Sequence, residues 1–489
     1  MKTSSEVDFS LIKKKAVKGV VALTGRMFVL QGVAFLGFFA LTIFLGKEEI
    51  GLFFAISELV AILGYFSDVG LAAALIQKKE KPSIKDVRST FTIQQGLVLS
   101  LLALVFVLTP FLKSFYNIPD SGVFLLYSLT IGFFLASLKT IPSVLLERKL
   151  RFDLLVVVEI AESLLFYGLA VLLAWKGFGV ASYAWAVLAR GVVGVILIYV
   201  FSPWKIGFAF EKKSLKDLLK FGVPYQANSF LAVVKDRLMN VFLWKIIGAT
   251  GVGILGWAQK WAQMPLRFVM DAVIKVTFPA YSRMQDHKEE LAKAVDKTFF
   301  FISLLVFPLV LGMMVLARPL MSLIPQYQKW EVALLALYLF GFNSLWAAIT
   351  TPLTNALSAI GRIKIVFKLM IMWTSLTWIL YPALAYKFGY NGAAFAASLV
   401  SLSSIVAIVI AKKHLHFNLL KSIKAPLISS ALMAGLCLVL VSVIGKNIFG
   451  VVGAIVLSGL FYFGLIYLFK GDEFLNDSKK LINSFRKKA

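Results

Sequence analysis

The chain reads as an all-α integral membrane protein of about 14 transmembrane helices, and three observations carry that expectation. Its 489 residues are 60% hydrophobic and only 16% charged, with a mean hydropathy of +0.85. Soluble domains are about 45–50% apolar and about a quarter charged, so this chain lacks the polar surface to cover a set of water-soluble domains. Apolar stretches of about 20 residues, the length that crosses a hydrocarbon core, recur from end to end. The segments between them alternate between rich and poor in Lys and Arg.

The apolar stretches fall at 19–45, 50–76, 91–112, 122–145, 154–175, 180–202, 221–247, 251–276, 298–317, 331–355, 365–386, 393–411, 426–444 and 450–469. Lys13, Lys14, Lys15 and Lys18 precede the first of these, as in a signal peptide. The stretch is too long for a signal core and lacks a small-residue cleavage site, so it reads as a retained helix. The N-terminal segment, the loops after even-numbered spans and the C-terminal segment together hold 34 Lys and Arg residues. The other loops hold 7: Lys47, Lys113, Lys176, Arg318, Lys329, Lys387 and Lys446. The positive-inside bias then puts both termini in the cytoplasm. That distribution also accounts for the net charge of +26 without nucleic acid.

No loop exceeds about 20 residues, too short for a folded catalytic domain of ~50 residues or more. The two longest, 203–220 and 277–297, read as amphipathic surface segments. In the second, Lys288, Glu289, Glu290, Lys293 and Lys297 suit helical charge pairing. The single cysteine, Cys437, excludes an internal disulfide and multi-cysteine metal sites. Three histidines, two of them (His414 and His416) in a basic loop, leave little for a metal enzyme. No cofactor or metal is expected.

A weak internal repeat has an offset of 202 residues, which lays Gly46 on Gly248 and Gly51 on Gly253 at equivalent turns. It predicts a six-helix N-lobe (1–203), a six-helix C-lobe (204–415) and two extra helices with a basic tail (416–489). Paired repeats of this kind are common in transporters, with the binding site near the midplane.

Ten basic residues fall within the spans: Arg26, Lys139, Arg190, Lys235, Arg237, Lys245, Lys260, Arg267, Lys275 and Lys368. Six acidic ones accompany them: Glu58, Asp68, Glu159, Glu162, Asp236 and Asp271. Each costs roughly 2.5–3.5 kcal/mol at a helix centre, so the set must pair, snorkel or line a wet cavity. Asp68, Lys245, Lys275 and Lys368 are near span ends, where they reach headgroups. Glu159 and Glu162 share a face of span 5 at the depth of Lys139 and Arg190, which predicts ion pairs. Lys235, Asp236 and Arg237 lie deep in span 7. Lys260, Arg267 and Asp271 form one stripe on span 8, beside Pro265, which should bend that helix. Arg26, Lys235, Arg237, Lys260 and Arg267 against Asp236 and Asp271 make a net-positive set suited to an anion. Arginine favours phosphate through its planar fork. The alternative is that these charges neutralise one another as structural pairs. Trp244, Trp257, Trp261, Tyr225 and Phe268 on spans 7 and 8 suit sugar stacking or plain packing.

The segments FSDVGLAAALIQKK (66–79), IPSVLLERKLRFD (141–153), KGFGV (176–180), LLKFGVPYQANSF (218–230), FPAYSRMQ (278–285) and NALSAIGR (355–362) occur in the order found in bacterial polysaccharide flippases. On them the chain resembles the polysaccharide flippase family of the multidrug/oligosaccharidyl-lipid/polysaccharide exporter superfamily. The resemblance implies two six-helix lobes around a V-shaped cationic cavity. It further implies alternating-access transfer of undecaprenyl-pyrophosphate-linked oligosaccharide to the outer leaflet, for O-antigen, capsule or exopolysaccharide synthesis. Family members carry cationic residues on spans 1, 7 and 8, corresponding here to Arg26, the Lys235–Arg237 stretch, Lys260 and Arg267. Coupling to an H+ or Na+ gradient or to the membrane potential is implied, with Asp236, Glu58 and Asp271 as the deep acids. Membrane lipids, a polysaccharide polymerase and glycosyltransferases are the implied partners. Alternatives remain a peptidoglycan lipid-precursor flippase, a multidrug or cation extruder, and, from another class, a membrane polymerase or ligase. An extruder should have an acidic cavity, and a polymerase or ligase a large outer loop.

Overall fold

In the computed structural model, residues 9–67, 70–78, 80, 82–211, 233–445 and 447–486 are described, with side chains from 25 to 471. Asp68, Tyr225, Lys446 and the start of span 7 lie outside the described residues. All described regular structure is helical. Twelve helical runs among the described residues are long and apolar enough to cross a membrane. Two of these, Val233–Arg283 (51 residues) and Ile363–Lys412 (50 residues), are each about double length. Each is interrupted by a glycine with positive φ, Gly248 (φ 69°) in the first and Gly389 (φ 60°) in the second. The 14 apolar stretches of the sequence therefore map onto twelve runs, with turns where only glycine is comfortable.

The chain divides into two compact units, Met1–Gly253 and Ile254–Ala489. The first contains α1 (Phe9–Phe44), α2 (Lys47–Phe66), α3 (Leu71–Gln77), α4 (Ile84–Tyr116), α5 (Asp120–Leu138), α6 (Thr140–Arg148), α7 (Phe152–Trp175) and α8 (Ala181–Phe201). A π-helical turn, Val233–Leu238, then leads into α9 (Met239–Arg283), which enters the second unit. The division falls beyond residue 203 because the π turn packs on α2 and the start of α9 crosses it.

Within the first unit α7 lies between α1 and α8, and α5 packs on α8, α2 and α4. Fully covered alanines (Ala170, Ala184 and Ala186) sit at these contacts, as expected where helices associate by close packing in lipid. Phe53 stacks on the buried Tyr183 at 3.9 Å between ring centroids. At the crossing of α2 and α9, a Cβ on Gly51 would collide with the Ala249 carbonyl, and one on Gly253 with the Lys47 carbonyl. The offset that pairs Gly51 with Gly253 also pairs Lys47 with Ala249, so the two contacts are equivalent by exchange.

The second unit continues with α10 (Lys288–Leu323), a 3-10 segment (Pro325–Ala333), α11 (Leu334–Ala359), α12 (Ile363–Leu402), α13 (Ser404–Lys412), α14 (Leu419–Ile444) and α15 (Ile448–Arg486). Val295, Val306, Val310, Leu353, Ala356 and Leu357 form its core. The two extra helices, α14 and α15, dock on α10, where the Tyr462 hydroxyl donates to the Leu304 carbonyl at 2.8 Å. Cys437 is buried there against Leu316 and Val451.

Several sequence expectations change in detail. Span 2 is not continuous over 50–76: α2 ends at Phe66, and α3 restarts after Gly70, whose φ is 75°. Span 4 breaks at Lys139, whose side chain turns to a carboxylate of α7. The 277–297 region is mostly helix, with only a short turn between Arg283 and Lys288. The described part of 203–220, Pro203–Glu211, is extended and not helical. Pro265 lies within α9 without non-helical dihedrals; the interruption of that run is at Gly248.

Candidate functional site: charged groups inside the spans

In the first unit, the charges buried by the sequence meet as ion pairs. Arg26 on α1 contacts Glu159 on α7, with both side chains about one-third to two-fifths exposed. One turn along α7, Glu162 takes two cations, Lys139 and, at 3.7 Å, Arg190 of α8. Glu162 is buried, and it fits between α7 and α8 because Gly194 has no side chain to displace it. The Arg190 guanidinium also lies over the Phe166 ring at 5.8 Å. These contacts agree with the pairing read for Glu159, Glu162, Lys139 and Arg190. Arg26 as the partner of Glu159 had no signal in the sequence, because α1 and α7 are far apart in the chain.

The deep Lys235-Asp236-Arg237 triplet lies in the π turn, a form of helix that concentrates at functional sites. Lys235 pairs with its neighbour Asp236 at 3.1 Å, and Asp236 remains 64% exposed. Arg237 reaches Glu58 on α2 through Nη1, also at 3.1 Å. Lys235 and Asp236 thus turn toward each other while Arg237 reaches away to α2. Lys245 caps the end of α4 by donating to the Phe115 carbonyl at 2.5 Å and lies over the Phe115 ring.

In the second unit, Lys260 and Arg267 lie seven residues apart on α9. Lys260 is half-buried, whereas Arg267 and Asp271 are exposed. Arg267 donates to the Gln263 side chain at 3.1 Å, one turn earlier on the same helix. Lys275 and Lys368 are exposed near span ends. Trp257 stacks face to face on Trp330 at 5.2 Å, and both are buried, so these faces serve packing and not sugar. Trp244 is likewise buried and stacks on Tyr116.

Chemically, the arginines of the first unit, Arg26, Arg190 and Arg237, are partly exposed guanidinium groups held by carboxylates. Each guanidinium carries five N–H donors in a fixed fork. An anion with several oxygens can compete for such a group without leaving a charge unsatisfied, provided the released carboxylate finds water or a proton.

Residues 40–335 match the family described as "Polysaccharide biosynthesis protein". The lipopolysaccharide biosynthesis protein WzxC of Escherichia coli K12 is 23% identical over 375 residues, covering 75% of this chain and 74% of its own. The teichuronic acid biosynthesis protein TuaB of Bacillus subtilis 168 is 22% identical, covering 70% and 69%. Among solved structures, the lipid II flippase MurJ in an inward closed conformation superposes with a TM-score of 0.73 at 15% identity. That superposition covers 94% of this chain and all of MurJ, and at such identity it establishes a shared fold.

Proposed function

Because this chain belongs to the polysaccharide biosynthesis protein family, we propose that it is a flippase that carries lipid-linked anionic oligosaccharide across the cytoplasmic membrane. The cargo we assign is undecaprenyl-pyrophosphate-linked oligosaccharide, moved from the cytoplasmic to the outer leaflet for cell-surface polysaccharide synthesis. The observation that carries the reading is the excess of cations inside the spans, ten against six acids. Part of this excess is half-exposed arginine paired with carboxylate, as at Arg26–Glu159 and Arg237–Glu58. Pyrophosphate is the group in this cargo that a guanidinium recognises best. No bond in the cargo is made or broken, so the activity is transport.

Arg26, Lys235 and Arg237 in the first unit, and Lys260 and Arg267 in the second, are the residues we assign to the cargo. As pyrophosphate takes up a guanidinium, Glu58 or Glu159 loses its partner. Protonation or binding of Na+ there would offset the released charge, which gives gradient coupling a physical route through Glu58, and through Asp236 where the cargo takes Lys235; Asp271 is the third deep acid we assign to coupling. The membrane potential helps independently: moving one negative charge outward across 100 mV gains roughly 2.3 kcal/mol. The polyprenyl tail needs no binding site and can remain in lipid.

The test is outer-leaflet appearance of lipid-linked glycan in vesicles containing the purified protein. Arg26→Gln, Arg237→Gln and Arg267→Gln should each lower flipping strongly at near-normal expression. Stable protein with unchanged flipping after all three substitutions overturns the assignment. Peptidoglycan precursor offered in the same vesicles separates the two pyrophosphate-lipid cargoes.

A further inference from the structure

Pro203–Glu211 leaves α8 and runs, extended, along the first turns of α4. The Ala209 N–H donates to the Thr92 hydroxyl at 3.1 Å, and the Glu211 N–H to the Ser89 hydroxyl at 3.2 Å. Trp204 meets Phe91 edge-on at 5.2 Å. Gly207 lies beneath the Arg88 guanidinium, where a Cβ would come within 2.6 Å of Nε. Side chains of an extended chain alternate between two faces. The small residues Gly207 and Ala209 lie against α4, while Ile206, Phe208 and Phe210 are 54%, 74% and 66% exposed, Phe208 touching α4 at Phe91 with ring centroids 6.0 Å apart.

Position decides what covers this second face. The apolar run of α8 ends at Phe201, two residues before the segment, and the segment's contacts on α4, Ser89 to Thr92, fall where the apolar stretch of that helix begins at 91. The exposed Ile–Phe–Phe row is therefore at the boundary between hydrocarbon and headgroups, not in bulk water. Left in water, these side chains would forgo burial of most of their apolar surface. Cations border the row: Lys205 and Lys85 are exposed, and Arg88 is partly so. Among the described residues Arg88 forms no ion pair with a carboxylate.

We propose that Pro203–Glu211 is a membrane-surface anchor. Ile206, Phe208 and Phe210 insert among acyl chains at the interface, and Lys85, Arg88 and Lys205 bind the phosphates of anionic phospholipid headgroups. Gly207 lets the segment approach the Arg88 guanidinium, and the Ser89 and Thr92 hydroxyls satisfy backbone donors that a lipid interface would leave unbonded. Long basic side chains reach headgroups from this depth by snorkelling. The anchor would pin the connection between the sixth and seventh spans to one membrane surface while helices on either side move. It depends on the membrane-spanning fold and not on which cargo is carried.

The experiment uses single cysteines at Lys205, Ile206, Phe208 and Phe210 in a Cys437→Ala background. Each is spin-labelled and reconstituted in vesicles of phosphatidylcholine with phosphatidylglycerol. Labels at 206, 208 and 210 should collide with oxygen and be shielded from a water-soluble nickel chelate, with the label at 205 showing the reverse. Equal access of the chelate to all four positions overturns the proposal and assigns the face to a soluble partner. A fluorophore at 208 then reports headgroup preference through quenching by nitroxide-labelled phosphatidylglycerol against the same label on phosphatidylcholine. Arg88→Gln or Lys205→Gln should each reduce that preference about fivefold, the factor that ~1 kcal/mol per basic residue near an anionic surface implies. A preference unchanged in the double variant overturns the headgroup assignment. Neither readout requires transport, so a chain that fails to flip glycan can still pass this test.

Discussion

At the scale of single residues, burial separates charges that hold the fold from charges available to a ligand. Glu162 is buried and holds both Lys139 and Arg190. Replacing it with glutamine leaves two cations without their anion inside the bundle, a loss of about 3–5 kcal/mol for a broken buried pair. Glu162→Gln should therefore lower the melting temperature sharply and reduce expression. Arg237 and Glu58 are 44% and 30% exposed; with that exposure toward the wet cavity proposed for the cargo, water screens their pair and its loss should cost about 1 kcal/mol or less. Arg237→Gln should melt close to wild type yet flip poorly, and Glu58→Gln with Arg237→Gln should not recover transport. If Arg237→Gln instead melts as low as Glu162→Gln, and the double variant regains stability and flipping, Arg237 is structural. Lysine at 26 or 237 keeps the charge but loses the planar fork, so an intermediate rate is expected. The sequence named nearly all of these charges, because an ionisable residue inside an apolar run is conspicuous. It could not name the partners of Arg26 and Arg237, which come from helices more than a hundred residues away.

Elements were legible where local chemistry sets them. Ser83 and Asp86 form a reciprocal cap at the start of α4, with Ser83 N–H to Asp86 at 2.8 Å and Asp86 N–H to Ser83 at 3.1 Å. That is the pattern of a small hydroxyl residue followed three positions later by an acid. The π turn at Val233–Leu238 and the break at Lys139 had no such signature, because tertiary ion pairs accompany both. On α9 the helix is interrupted at a glycine, Gly248, whose φ is 69°, and Pro265 lies farther along with helical dihedrals. The paired glycines of the repeat have a measurable consequence. Gly51→Val and Gly253→Val each force a side chain into a facing backbone carbonyl, so helix separation must grow at a cost of about 1–3 kcal/mol or more. Both should lower the melting temperature by similar amounts. Gly96→Val on α4, where a Cβ has open space, should change it little. Unequal effects at 51 and 253 would show that the crossing is not equivalent in energy, despite the equivalent geometry.

For the whole molecule, the presence and order of apolar runs were readable because lipid permits few backbone solutions: a spanning segment must satisfy its own hydrogen bonds. The turns at Gly248 and Gly389 fall between stretches that hydropathy alone had already separated. Orientation rests on a different physical effect, the retention of Lys and Arg on the cytoplasmic side during insertion, and it has its own test. The 34-to-7 split of loop cations predicts that Lys85, at the start of α4, faces the cytoplasm and that Lys47, at the start of α2, faces outward. Both start helices and are not deep within them, so reagent access reports sidedness and not burial. In a Cys437→Ala background, which removes the one native thiol, cysteine at 47 should react with a membrane-impermeant maleimide in intact cells. Cysteine at 85 should react only after the membrane is opened. Cysteine at 486, beyond the final span, should behave as at 85 if the number of crossings is even. Labelling of position 486 from outside, with 85 still protected, would mean an odd number of crossings from α4 onward, α4 included. One of the glycine-broken double runs would then fail to cross the membrane twice, and the basic C-terminal segment would lie on the side the charge distribution disfavours.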